Sequence, residues 1–82
     1  MIKLLYFGRL GDIDQAAPQQ IEATADLTPS AVRDLIARDF SSLGAELAQP
    51  QVLVSVNQTL VDWHQPLGDG DELAFLPPVT GG

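Results

Sequence analysis

The 82-residue sequence predicts an α+β domain in which one main helix covers one face of a mixed sheet of four to five strands. Three observations carry that expectation. Only the segment after Thr28-Pro29 repeats its apolar residues at helical spacing over about three turns. Apolar runs of strand length stand near both ends of the chain, and a third alternates strictly between them. Hydrophobic residues make up 45% of the chain and are spread along it, which supplies a core and argues against disorder.

The elements follow in order. Ile2 to Phe7 reads as a strand, apolar and aromatic, ended by Gly8. Gly11 to Gln19 is polar and contains Pro18, so a loop is expected there. Gln20 to Ala25 alternates weakly around Ile21 and Ala23 and predicts a short second strand. Thr28 suits an N-cap, and Pro29 suits the first helical position, where its missing N–H costs nothing. Val32, Leu35, Ile36 and Phe40 then line one face of the helix. Gly44 lies beyond that helix, and Ala45 to Leu47 predicts a short extra turn. Gln51 to Asn57 sets Val52, Val54 and Val56 against polar positions, a strand pattern. Asn57-Gln58 is a tight turn into a short strand at Thr59 to Val61. Gly68-Asp69-Gly70-Asp71 is a turn, and Glu72 to Leu76 is the last strand before a proline pair stops pairing. Strand, strand, helix, strand, short strand, strand is the order of a β-grasp roll. Residues 1–76 are expected to form this domain, with residues 77–82 as a flexible tail.

Alternation also assigns faces. Ile2, Leu4, Tyr6, Val52, Val54, Val56, Leu73 and Phe75 are expected to face the helix. Lys3 and Glu72 mark the opposite face, which then also carries Leu5, Phe7, Leu53, Ala74 and Leu76. An apolar patch on the solvent side of a sheet is the kind of surface that marks a protein interface.

Composition excludes several function classes. With no cysteine there are no disulfides, thiolate metal ligands or thiol nucleophiles. A formal net charge of −7, with only Lys3, Arg9, Arg33 and Arg38 as basic side chains, argues against nucleic acid as a partner. That acidity serves solubility or steers the chain toward a basic docking surface. The apolar run Leu4-Leu5-Tyr6-Phe7 is too short for a signal-peptide core, and no stretch has the length of a membrane span, so a cytoplasmic location and no membrane partner are expected.

Catalytic groupings are close to absent. His64 is the only histidine and falls in a loop beside Trp63. Asp69, Asp71 and Glu72 cluster around two glycines but lack the later acidic ligand of a calcium loop, so a solvated turn accounts for them and no metal site is expected. The informative feature is the terminus, Pro77-Pro78-Val79-Thr80-Gly81-Gly82. Glycine reaches backbone conformations closed to other residues, so a glycine pair ahead of a carboxylate forms a thin thread that another protein's active site can admit.

The run from Asp69 through Phe75-Leu76-Pro77-Pro78-Val79-Thr80 to Gly82 closely resembles the ending of the molybdopterin synthase small-subunit family. Val56-Asn57-Gln58-Thr59-Leu60-Val61 resembles that family's internal segment, and Ile2 to Phe7 fits its opening strand. Residues Asp12 to Gln20 match nothing in the family pattern, and Gly8 stands where the family often has alanine. The resemblance implies a ubiquitin-like β-grasp sulfur carrier, a non-catalytic subunit whose active site lies on the large subunit. It implies that an adenylating enzyme, using ATP and Mg²⁺, activates the Gly82 carboxylate, and that a sulfur donor system converts it to a thiocarboxylate. The sulfur then passes to cyclic pyranopterin monophosphate inside the large subunit, with the two kinds of subunit forming a heterotetramer. On this reading the chain itself binds no cofactor. Pro77, Pro78, Val79, Thr80 and Gly81 are the threaded tail, and Leu5, Phe7, Leu60 and Leu76 are the docking surface, Leu60 joining by resemblance. Two alternatives stand beside it. One is a thiamine-pathway sulfur carrier or a ubiquitin-related modifier, and the other is a plain protein-binding module.

Overall fold

The computed structural model describes residues 1–77, so the expectations placed on Pro78, Val79, Thr80, Gly81 and Gly82 lie outside the described residues. Five strands, β1 (Ile2–Tyr6), β2 (Gln20–Ile21), β3 (Leu53–Val56), β4 (Thr59–Val61) and β5 (Glu72–Leu76), form one sheet in the order β2-β1-β5-β3-β4. β1 and β5 run parallel, and the other neighbours are antiparallel. The sheet is therefore mixed, as expected.

Helix α1 (Pro29–Asp39) begins as the sequence predicts. The Thr28 hydroxyl accepts a hydrogen bond from the Ala31 amide at 3.1 Å, and Pro29 takes the first turn. Val32 and Ile36 are buried on the sheet with Ile2, Leu4, Val54 and Phe75. Leu35, expected on the same face, is instead 43% exposed. It flanks a shallow groove over Pro18 and Ile21, beside the two-residue β2. That strand is too short to cover the whole apolar arc of the helix.

A second helix, α2 (Ser41–Leu47), replaces the short extra turn expected at Ala45 to Leu47. Gly44 does not interrupt it. A methyl group there would stand 2.5 Å from Cβ of Ala37, so this glycine is the contact point at which α2 crosses α1. Leu43 and Leu47 on either side are fully buried.

The remaining differences are at element ends. The chain after β1 turns at Gly8, whose φ is +56°, into a 3-10 turn over Gly8–Asp12 that buries Leu10. The polar run expected to be loop thus starts with an ordered turn. β2 is confined to Gln20–Ile21, and β3 begins at Leu53 because the Val52 amide donates to Gln49 O. The Asn57-Gln58 turn is as expected, with φ of 52° and 71°, the signature of a two-residue hairpin that pairs Val56 with Thr59.

Candidate functional site

The sheet face turned away from the helices carries cross-strand rows that the register fixes. In one row Leu5 pairs with Ala74, Ala74 with Ser55, and Ser55 with Leu60. In the next, Leu53 pairs with Leu76, and Phe7 follows one residue after β1 ends at Tyr6. Small residues hold the centre of the first row and larger ones its ends, which makes the surface concave. The result is a groove of about 400 Å³ floored by Ser55 and Ala74 and walled by Leu5, Phe7, Leu60 and Leu76.

Leu60 is 62% exposed, Leu53 47% and Phe7 45%, while Leu5 and Leu76 are half-buried. Apolar surface of this extent on one face is unusual for an isolated small domain. The opposite end of the face is charged, where Lys3 pairs across the strands with Glu72, Nζ to Oε2 being 3.7 Å. The face therefore grades from ionic at the start of β5 to apolar where β5 hands over to Pro77. The structure brings all four sequence-named residues, Leu5, Phe7, Leu60 and Leu76, to this one groove.

Sequence reasoning did not single out Gln58 as part of the groove, and it gave Ser55, Glu72 and Ala74 only a place on the face. The signal was present for Ser55 and Ala74, since both lie on the outward parity of their strands. Their pairing needed the register, which alternation alone does not give.

The acidic turn is engaged in the fold. Asp71 accepts from the Gly68 amide at 2.8 Å and from Nδ2 of Asn57 at 3.0 Å, and Oδ1 of Asn57 accepts from the Glu72 amide at 3.0 Å. These bonds tie the β3–β4 hairpin to the turn before β5, and the Gly68 hydrogen bond first, then that from Asn57, hold Asp71 below the usual carboxylate range. Asp69 pairs with the N-terminal ammonium, whose hydrogen bond lowers its pKa in turn. Among the described residues no group of three or more His, Asp or Glu side chains is placed to hold a metal ion. His64 is exposed, and its backbone amide, rather than its ring, bonds to Asp62.

Pro77 marks the end of the ladder. Along the β1–β5 pair the Lys3 amide donates to Asp71 O and the Phe7 amide to Phe75 O at 3.0 Å. The alternation of a parallel ladder calls next for the amide of residue 77 to donate to Phe7 O. Proline has no such hydrogen, and Phe7 O accepts from the Leu10 amide instead.

Comparison with known proteins fits this geometry. A family model described as the ThiS family matches residues 4–82. The chain belongs to the ThiS family. Among relatives of this ThiS-family chain, the molybdopterin synthase sulfur carrier subunit of Escherichia coli K12 is 41% identical over 83 residues, covering 100% of both chains. The protein of the same name from Haemophilus influenzae is 35% identical over 85 residues, again covering 100% of both. Of solved structures, SAMP1 from Haloferax volcanii superimposes with a TM-score of 0.76 at 21% identity, covering 99% of this chain and 98% of that one. Subunits 1 and 2 of the molybdopterin-converting factor of Helicobacter pylori were solved as a protein–protein complex. A chain of that complex matches with a TM-score of 0.61 at 23% identity, covering 99% of this chain and 97% of its own. At these identities the structures establish a shared fold, the ubiquitin-like β-grasp.

Proposed function

We infer that this chain is the sulfur carrier of a molybdopterin synthase, with the Gly82 carboxylate as its working group. The observation that carries this reading is the 41% identity, over the full length of both chains, to a protein named for that role in Escherichia coli. The apolar groove supports it, since a carrier must hold its partner beside the point where the tail departs. The Helicobacter pylori complex of two subunits supports a large-subunit partner.

The chemistry follows from the end group. An α-carboxyl with a pKa near 3.5 is an anion at neutral pH and a poor electrophile. Reaction with ATP on an adenylating enzyme, where Mg²⁺ would sit, joins the carboxylate to AMP and releases pyrophosphate. Sulfide equivalents from a donor system then displace AMP, and the terminus becomes a thiocarboxylate. When its sulfur passes to cyclic pyranopterin monophosphate in the large subunit, an oxygen from water restores the carboxylate. Every catalytic group resides on a partner in this scheme, and Pro77 to Gly81 serve as the thread that reaches it.

Intact-mass measurement of the protein from its native cell tests the reading. The expected result is a population heavier by one oxygen-to-sulfur exchange at Gly82. A terminus that remains a carboxylate after incubation with the cognate adenylating enzyme, ATP, Mg²⁺ and a sulfur donor would overturn it.

A further inference from the structure

We propose that Asn57 is a positioning residue for the docking groove, because its side chain binds the β3–β4 hairpin to the start of β5 and so holds the Leu60 wall in place. The proposal deepens the carrier reading and rests on it for the identity of the partner.

Asn57 belongs to two structures at once. In the hairpin it is the first turn residue, with φ of 52°, followed by Gln58 at 71°. Toward β5 it continues the ladder one step past the Val56–Leu73 pair, where it faces Glu72. An antiparallel pair that is hydrogen-bonded exchanges two backbone bonds. The Asn57 amide supplies one of them, donating to Glu72 O at 2.9 Å. The return bond, from the Glu72 amide, ends on Oδ1 of the Asn57 side chain at 3.0 Å. The left-handed turn carries the backbone carbonyl of Asn57 out of the ladder, and the side-chain carbonyl stands in for it. Nδ2 of the same amide donates to Oδ1 of Asp71 at 3.0 Å, and Oδ2 of Asp71 accepts from the Gly68 amide at 2.8 Å. Asparagine meets every demand here, since it tolerates left-handed backbone and carries both an acceptor and donors. Aspartate lacks the donor, and glycine lacks both.

Leu60 depends on this link because of where it sits. Leu5, Phe7 and Leu76 wall the groove from the β1–β5 side, whereas Leu60 comes from β4, a strand of three residues at the sheet edge. In a two-residue hairpin the closing pair, Val56 with Thr59, is hydrogen-bonded, and the next pair, Ser55 with Leu60, is not. The backbone of Leu60 therefore turns its polar groups away from β3, and Leu60 as a whole is 62% exposed. Its place opposite Ser55 is set by the hairpin, and the hairpin is held to β5 at its tip by Asn57. Gln58, the second turn residue, and Glu72, which bonds Asn57, line the same groove. Loss of the side-chain link frees the hairpin to swing on the edge of β3, and the Leu60 wall moves with it.

Substitutions in the full-length chain test the link. Asn57→Gly keeps the left-handed turn and removes the amide. Asn57→Asp keeps the acceptor for Glu72 and sets a second carboxylate against Asp71. Asn57→Asp combined with Asp71→Asn exchanges donor and acceptor. The new amide at position 71 then donates to the new carboxylate at position 57, and all three side-chain bonds return at unchanged net charge. In calorimetric titration with the large subunit, each single substitution of Asn57 should lower affinity at least about fivefold. The exchanged pair should recover to within about twofold of wild type. With Leu60→Ala in place, either substitution of Asn57 should cost no more than about twofold further, because the wall it would displace is gone. An exchanged pair as weak as the single variants, or an equal loss with and without Leu60, overturns the positioning role. Amide hydrogen exchange in the free chain reads the link itself. The Glu72 amide should exchange about tenfold faster in Asn57→Gly and return toward wild type in the exchanged pair. Equal rates in all three proteins overturn the proposal. A wild-type chain with no affinity for the large subunit would sink the carrier reading, while the exchange rates would still decide whether Asn57 holds the hairpin.

Discussion

Tyr6 shows how one side chain links pattern, packing and pH. Its place on the helix-facing side follows from alternation along β1, and the ring stacks on Phe75 with centroids 5.6 Å apart. Its hydroxyl donates to Pro18 O at 2.7 Å, anchoring the loop ahead of β2. Burial pushes the phenol up to about 12 from its ordinary value of 10.0. The folded chain therefore holds this proton more tightly than the unfolded one. The resulting stabilisation is complete below pH 10 and is lost as pH rises from 10 toward 12. Tyr6→Phe should remove that alkaline slope, while lowering stability at neutral pH through loss of the Pro18 bond. Urea midpoints read by fluorescence of Trp63, whose ring lies 6.0 Å from that of Phe75, check both outcomes. Parallel slopes for the two proteins above pH 10 would refute the assignment. The inward position of Tyr6 was legible in the sequence, because strand periodicity is local. Its bond to Pro18 was not, because the path of an aperiodic loop is set by tertiary packing.

At the level of elements, glycine was the residue most easily misread. Gly68 and Gly70 do mark a turn, and Gly8 does end a strand. Gly44 follows the same sequence logic and yet sits inside α2, buried against Ala37. Glycine costs a helix about 1 kcal/mol in propensity relative to alanine, so propensity alone reads it as a break. Here the close crossing of two helices outweighs that cost. Gly44→Ala should consequently destabilise the fold by about 1–3 kcal/mol, as overpacking does, although alanine is the better helix former. A urea titration that shows Gly44→Ala unchanged or more stable would mean that α1 and α2 separate freely at this point. The long-range pairing of β1 with β5 was likewise beyond the reach of local pattern. The α+β class, the capped helix and the two-residue hairpin were legible because each rests on neighbours in sequence.

For the molecule as a whole, the sheet divides the work between its faces. One face is consumed by the core under α1 and α2, and the other keeps apolar side chains that the isolated fold does not need. Parity along the strands placed Leu5, Phe7 and Leu76 on that free face, whereas their closure into a groove with Leu60 depended on strand order and register. Leu76 is the test of what the groove is for. It is half-buried, pairs with Leu53 across β5 and β3, and directly precedes Pro77. A carboxylate at this position faces solvent in the free chain, so Leu76→Glu should fold with a urea midpoint near wild type. In a complex the same carboxylate would be buried among apolar groups without a partner, a loss typical of central interface residues at about 2 kcal/mol or more. Affinity for the large subunit should fall roughly thirtyfold. The loss should persist at high salt, because desolvation rather than long-range charge would cause it. Calorimetric titration of wild type and Leu76→Glu at two salt concentrations measures both quantities. Unchanged affinity would remove Leu76 from the interface, and a loss that salt erases would assign the effect to the acidity of the chain instead of to the groove.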